Sequence, residues 1–235
     1  MQQHHTKIID KNGKRFIAGM ILHQIVLVLI LFLSAGTINI LRFWIFLLVD
    51  LVYTSIEVAL LIRKNPQLLN WRGKPISSDT AGWDKYLVRL YALFFYTIIL
   101  ISALDFGRFQ WRILGSYYTI PGYFLYVTGS VIINWSQYVN AYFERTVRIQ
   151  IDRNQSVVSN GPYRYIRHPG YIGIIFLVTG IPLTLGSTYG FIASVVCVIV
   201  LVIRTYLEDD FLKKRLSGYK EYSKKVKYRL CYGIF

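Results

Sequence analysis

The chain has 235 residues, 54% of them hydrophobic and 16% aromatic, with 17% charged and a mean hydropathy of +0.40. That balance is too apolar for an ordinary water-soluble domain. The net charge of +15 comes from Lys and Arg that flank apolar runs, a placement that favours anionic headgroups and topology control over nucleic acid, for which no groove-reading motif is present.

The polar, basic residues 1–15 lead into residues 16–33, an apolar run of 18 that is long enough to cross a bilayer. Ser34-Ala35-Gly36 resembles a signal-peptidase site, but the run exceeds an h-region of about 7–15 residues, so a retained first helix is expected. Residues 43–62 form a second predicted span that carries Asp50 and Glu57, seven apart on one helical face. Acids inside a span are functional candidates by default, the rival reading being that they pair with polar groups of neighbouring helices. Residues 63–85 read as a loop, with Pro66, Gly73, Pro75 and Gly82 as breakers and Trp71 and Trp83 as interfacial anchors.

A third span is predicted over residues 86–106, a turn-rich loop over 107–120, and a fourth span over 121–141. In the fourth, Asn134, Gln137 and Tyr138 form a polar stripe of the kind that bonds helices together in membranes. Residues 143–167 are polar, and the alternation Val147-Arg148-Ile149-Gln150-Ile151 predicts extended chain. Residues 170–185 and 191–203 are short for spans and read as a helical hairpin joined by Gly186 to Gly190, its second helix running past the membrane surface through Arg204 to Lys214.

The expected fold is therefore all-α, a polytopic membrane helical bundle of about six spans in one domain, with residues 1–142 as N-terminal spans and 143–235 as a functional part. Lys and Arg number 4, 5, 5 and 9 in the N-terminus, the 63–85 loop, residues 143–169 and the chain from Arg204, against Arg42, Arg108 and Arg112 in the opposite loops. That asymmetry predicts cytoplasmic N- and C-termini. Cys197 and Cys231 have no metal or redox spacing, so no disulfide framework is implied.

The most informative stretch is Asn-Gly-Pro-Tyr-Arg-Tyr-Ile-Arg-His-Pro-Gly-Tyr-Ile-Gly over residues 160–173. His168, as the residue before a proline, is pushed out of helical geometry, so a helix should begin at Pro169. The first N–H groups of that helix, at Gly170, Tyr171 and Ile172, lie at the positive end of its dipole with Arg167 and His168 beside them, which suits an anion. Gly170 and Gly173 leave room for something flat against the backbone.

Arg167-His168-Pro169-Gly170-Tyr171-Ile172-Gly173 resembles the signature of the isoprenylcysteine carboxyl methyltransferases and phospholipid N-methyltransferases, integral membrane enzymes that use S-adenosylmethionine. The acidic pair Glu208-Asp209 and the C-terminal runs Gly218 to Tyr222 and Val226 to Leu230 extend the resemblance over residues 145–230. Two departures are Asp209, where the family has a second Glu, and Cys231-Tyr232, where such tails often carry Pro. The resemblance implies S-adenosylmethionine as cofactor, held in a cytoplasmic pocket by Gln150, Gln155, Ser156, Val157, Val158, Tyr163, Arg167, His168, Pro169, Gly170, Tyr171, Glu208 and Asp209. It implies that Arg204 orients the methyl acceptor, and no metal is called for.

Arg204 is a cation at any ordinary pH and cannot serve as a base. A lipophilic carboxylate entering from the bilayer is accordingly the favoured acceptor, with a phospholipid-type amine as the alternative. Each residue also has a structural reading: Arg204 and Glu208 as a helix-surface pair, His168 as a helix cap, and the tyrosines as headgroup-level belt residues. A nicotinamide-dependent sterol-type reductase and a transporter built around Asp50 and Glu57 are the rival functions.

Overall fold

In the computed structural model, which describes residues 9–231 and Gly233, the chain is a bundle of helices with no strand among those residues. Residues 1–8 and Tyr232, both part of sequence-based expectations, lie outside them. The first helix, α1 (Lys11–Ala35), begins ahead of the apolar run because Asp10 caps it, accepting from the N–H groups of Asn12 at 2.8 Å and Gly13 at 2.9 Å. It ends at Gly36, whose φ of 73° is the left-handed conformation of a helix C-cap.

α2 (Leu41–Lys64) is followed directly by a short helix inside the expected loop. This is α3 (Pro66–Arg72), started by Asn65 accepting from Leu68 N at 3.0 Å and by Pro66. Its Leu68 and Leu69 are buried with Phe16 and Leu61, and seven residues are too few for the apolar period to stand out. α4 (Gly82–Ala103) runs on into a π-helical turn, Leu104–Phe109, where a loop was expected from residue 107.

α5 (Thr119–Val139) and α6 (Pro169–Leu185) are antiparallel neighbours whose backbones meet through glycine. A Cβ on Gly129 would lie 2.4 Å from Gly173 O, and one on Gly180 would lie 2.7 Å from Gly122 O. Lipid tails give apolar side chains no reason to prefer one another, so close backbone approach supplies the attraction through van der Waals contact. The room at Gly173 is thus filled by α5. Gly170 instead meets the ring of Phe143, 2.5 Å from where its Cβ would be.

α7 (Thr188–Arg215) starts earlier than residue 191 because Ser187 caps it, its Oγ accepting from Gly190 N at 2.9 Å. The α6–α7 hairpin is therefore tight, with Gly186 at φ 82° as the α6 C-cap. Asp105 pins this end of the bundle, accepting from Ser187 Oγ at 2.6 Å and from Arg112 N at 2.8 Å. The last helix is α8 (Tyr219–Lys225).

Among the described residues, four helices are long and apolar enough to cross a membrane: α1, α2, α4 with its π turn, and α7. α5 is not among them, and α6 is an apolar helix of 17 residues. Leu27, Leu31, Phe43, Phe46, Ile98, Val178, Ile181 and Leu201 form the buried interior, while Leu22, Leu48, Leu93 and Ile199 face outward, which suits a lipid surround. Asp50 and Glu57 are paired within the bundle. Asp50 accepts from Gln24 Nε2 at 2.6 Å and from the Tyr126 hydroxyl, and Glu57 accepts from Arg72 Nη1 and Gln137 Nε2, both at 3.0 Å. The Gln137 expectation of interhelical bonding is met in this network. Residues 147–150 have no regular secondary structure and are held where Ala81 N donates to Val147 O at 2.9 Å and Val147 N to Asp84 Oδ2 at 2.7 Å, while Ile151, expected in extended chain, opens a 3-10 turn, Ile151–Arg153.

Candidate functional site

The residues of the signature and of the acidic pair meet at the end of the bundle where α6 begins and α7 ends. His168 is the α6 N-cap residue, in non-helical geometry at φ −125° and ψ 60° and with no side-chain cap bond, and Pro169 opens the helix. An X-Pro step disfavours the helical region for the residue before proline, and His168 lies outside it. His168 Nε2 lies 3.3 Å from both Asp209 Oδ1 and the Tyr219 hydroxyl. His168 lies 41 residues from Asp209 and 51 from Tyr219, so these contacts are tertiary.

Asp209 is fully buried and gathers a shell of donors. Arg167 reaches it through Nε at 2.6 Å and Nη2 at 3.0 Å, Lys213 at 2.8 Å, Arg229 Nε at 3.0 Å and the Tyr219 hydroxyl at 3.1 Å. A buried carboxylate requires this compensation. The remaining Arg167 donor, Nη1, bonds the carbonyls of Val226 and Lys227, each at 2.7 Å. Arg167 N and His168 N donate to Tyr228 O and Arg229 O, both at 2.9 Å. The C-terminal strap is thereby laid along the signature, and Leu230 is buried beneath it. The fork of Arg167 and the carboxylate of Asp209 are engaged with each other and with the strap rather than presented at an open surface.

Glu208, half-buried, faces elsewhere. It accepts from the Tyr171 hydroxyl at 2.5 Å, and the His168 and Tyr171 rings lie 5.8 Å apart between centroids. Tyr163 is buried against the same region, its hydroxyl accepting from Asn140 Nδ2 at 3.1 Å and its carbonyl from the Tyr222 hydroxyl at 2.6 Å. Burial pushes the Tyr163, Tyr219 and Tyr222 phenols up from their usual range, so all three are neutral donors at physiological pH.

Arg204, one helical turn before Glu208, does not pair with it. Its Nε and Nη2 form a fork on Asp84, at 2.7 Å and 3.2 Å, and Nη2 also donates to Arg145 O at 2.7 Å. Its guanidinium stands 5.5 Å from the Tyr171 ring centroid. Asp84 was missed in the sequence, where it falls at the end of the expected 63–85 loop, whereas α4 begins at Gly82 and includes it. Phe143, Tyr219 and Arg229 were missed as well, since only tertiary placement brings them here.

The remaining expected residues sit in the approach to the signature. Gln150 is buried and donates to Tyr142 O at 2.8 Å, while its backbone N–H donates to Gln155 Oε1 at 2.8 Å. Residues 155–158 have no regular secondary structure, with Ser156 exposed and Val157 packed against Leu216, Tyr219 and Tyr222. Gln150 and Gln155 bond each other and contact neither His168 nor Glu208 directly among the described hydrogen bonds.

No curated protein matches the chain. Residues 117–218, which take in α5, the approach to the signature, the signature itself, the α6–α7 hairpin and the acidic pair, match the phospholipid methyltransferase family, in agreement with the resemblance that the sequence bears.

Proposed function

We propose that the protein is an S-adenosylmethionine-dependent methyltransferase acting on a lipid-borne acceptor. The observation that carries this reading is the bonding of the signature to the acidic pair, His168 to Asp209 and Tyr171 to Glu208. The donor set fits the cofactor. Glu208, with Tyr171 as its bonded partner, keeps acceptor capacity for a ribose hydroxyl or an ammonium. The first turn of α6 and His168 offer donors to a carboxylate. Gly170, where a Cβ has no space, keeps the backbone against an aromatic ring.

When bound, S-adenosylmethionine supplies an electrophilic methyl group on a sulfonium, whose sulfur keeps the bonding pair on transfer. The protein's task is positioning and exclusion of water. Tyr171 holds the Glu208 carboxylate in place, Asp209 fixes the His168 ring, and Arg167 ties the strap over both. Arg167 and Asp209 act in this scheme as positioning residues. The basic loops support cytoplasmic termini and a pocket on that side.

For the acceptor, the Arg204–Asp84 fork favours an amine of phospholipid type. Asp84 cancels the charge that a carboxylate would need, and the family match points the same way. The carboxylate reading keeps one observation in its favour: Arg204 Nη1 makes no hydrogen bond among the described residues. An amine, with a pKa near ~10, must lose a proton before it attacks, whereas a carboxylate near ~4 is already nucleophilic at neutral pH. With radiolabelled methyl donor and lipid extract, the amine reading requires a chemistry-limited rate that climbs with pH between about 6.5 and 9. A flat profile together with strong loss on Arg204→Lys assigns a carboxylate. No labelled lipid at any pH overturns the methyltransferase reading itself.

A further inference from the structure

We propose that the cleft beside α3 is a binding site for a phosphate group, separate from the His168–Glu208 site. A cavity of about 1090 Å³ opens there between α3, residues 74–79 and residues 144–152, with Phe211 and Arg215 of α7 on its wall. Its charged lining is Arg72, Lys74, Arg145, Arg148 and Arg215 against Asp79, Glu144 and Asp152. Two of the acids are already used, since Glu144 and Asp152 grip Arg148 at 2.9 Å and 2.8 Å. Arg72 has Glu57 at 3.0 Å.

Among the described residues Lys74, Arg145 and Arg215 have no ion-pair partner within 4.0 Å. Asp79, whose bonds are to Ser77 and Ser78, is the single acid left to offset them. The cations are also crowded. The Arg72 and Arg145 guanidiniums both lie over the Phe16 ring, at 5.1 Å and 5.4 Å from its centroid. Partial burial, with Arg72 and Arg15 close by, lowers the Arg145 guanidinium from its ordinary range. Arg72 Nε is buried and has no hydrogen-bond partner among the described residues.

Like charges at this separation repel unless an anion lies between or beside them. A buried N–H without a partner costs about 1–3 kcal/mol unless a ligand atom supplies one. A phosphate meets both demands, because its oxygens accept from several guanidinium forks at once. The cavity is far larger than one phosphate, so it admits a phosphomonoester or phosphodiester with the group it carries. The source is either a phospholipid headgroup or a free phosphate compound, and the chemistry at the cations is shared. This inference does not depend on the methyltransferase reading.

The test is thermal unfolding of the full-length protein under three conditions at matched ionic strength. These are nanodiscs of a neutral, phosphate-free galactolipid, the same nanodiscs with phosphatidylglycerol, and neutral detergent with inorganic phosphate in place of chloride. The expected result is a rise of several degrees in the unfolding midpoint with phosphatidylglycerol or with phosphate, at least halved in Arg145→Gln and in Lys74→Gln. A rise with the lipid alone assigns a headgroup, and a rise with phosphate alone assigns a free ligand. Both variants remove exposed side chains without ion pairs, so the native state should persist in each. The proposal is overturned by no shift under either condition. It is equally overturned by a shift that both variants retain, or by one that saturating S-adenosylhomocysteine removes, which would place the anion at His168.

Discussion

Replacing Asp84 with Asn tests the charge of a deeply buried ion pair, Asp84–Arg204. Asp84 has no exposed side-chain surface and Arg204 only 7%. Asn keeps the shape of Asp and an oxygen for Val147 N and Arg204 Nη2, but it puts an NH2 group where Oδ1 accepted from Arg204 Nε, so the substitution removes the charge and one arm of the fork. It leaves the Arg204 guanidinium buried without its counter-ion, which costs about 3–5 kcal/mol when one partner of a buried pair is lost. At about 2–4 °C per kcal/mol for a chain of this size, the unfolding midpoint should fall by roughly 6–20 °C. Thermal unfolding in detergent, read by intrinsic fluorescence, measures it. Arg204→Gln in the Asp84→Asn background should recover part of the loss, because the uncompensated charge disappears, and the cycle should show a coupling of about 0.5–3 kcal/mol. A single variant within about 1 kcal/mol of wild type, or strictly additive losses, would mean that Arg204 is balanced by another group, Glu208 first, and would remove the ground for treating it as neutralised.

Gly173→Ala should destabilise by about 1–3 kcal/mol, because its Cβ would come within 2.8 Å of Gly129 O and backbone gives way poorly; unchanged denaturation in a mild detergent would contradict the close α5–α6 seam. Tyr171→Phe should weaken S-adenosylhomocysteine binding several-fold while leaving the unfolding midpoint of the ligand-free protein nearly unchanged, since it frees one hydrogen bond of Glu208; equal affinity would separate Glu208 from the cofactor. Asp152 is held below its usual carboxylate range by its hydrogen bond from Arg148. A depressed folded pKa gives stability that is present above the unfolded value of about 4 and is lost as pH falls through the folded one. Asp152→Asn should therefore flatten the stability–pH curve below about pH 4 and leave its shape at pH 7–8 unaltered, and a variant curve parallel to wild type throughout would contradict the assignment.

The apolar runs placed α1, α2, α4 and α7 because a bilayer demands long uninterrupted hydrophobic segments, and nothing subtler is needed to see them. Helix ends were less visible. Asp10 and Ser187 extend α1 and α7 beyond their apolar cores through side-chain caps, which hydropathy does not register. α3 escaped notice because two leucines carry its entire buried face. At the site, His168-Pro169 announced its own geometry, since an X-Pro step restricts the backbone whatever surrounds it. The partners of its neighbours did not announce themselves. Asp84 lies 120 residues from Arg204 and Asp209 lies 42 from Arg167, and no local pattern encodes such pairings. The open room inferred from Gly170 and Gly173 belongs to Phe143 and to α5, because small residues at helical spacing serve packing as readily as ligands. The seven-residue spacing of Gly122 and Gly129 on α5 against Gly173 and Gly180 on α6 was the signal for that seam, and it is readable once the two helices are known to be antiparallel.

The account stands most directly on whether the His168–Glu208 site binds the cofactor. Thermal unfolding of the full-length protein with S-adenosylhomocysteine, alongside His168→Ala and Glu208→Gln, measures this without any assumption about the acceptor. Ligand that binds the native state alone stabilises it by about 2.7 kcal/mol at a hundredfold excess over Kd. The account predicts a saturable rise in the wild-type midpoint that both substitutions diminish, and an absent shift at millimolar ligand, or one that both variants retain in full, would contradict it.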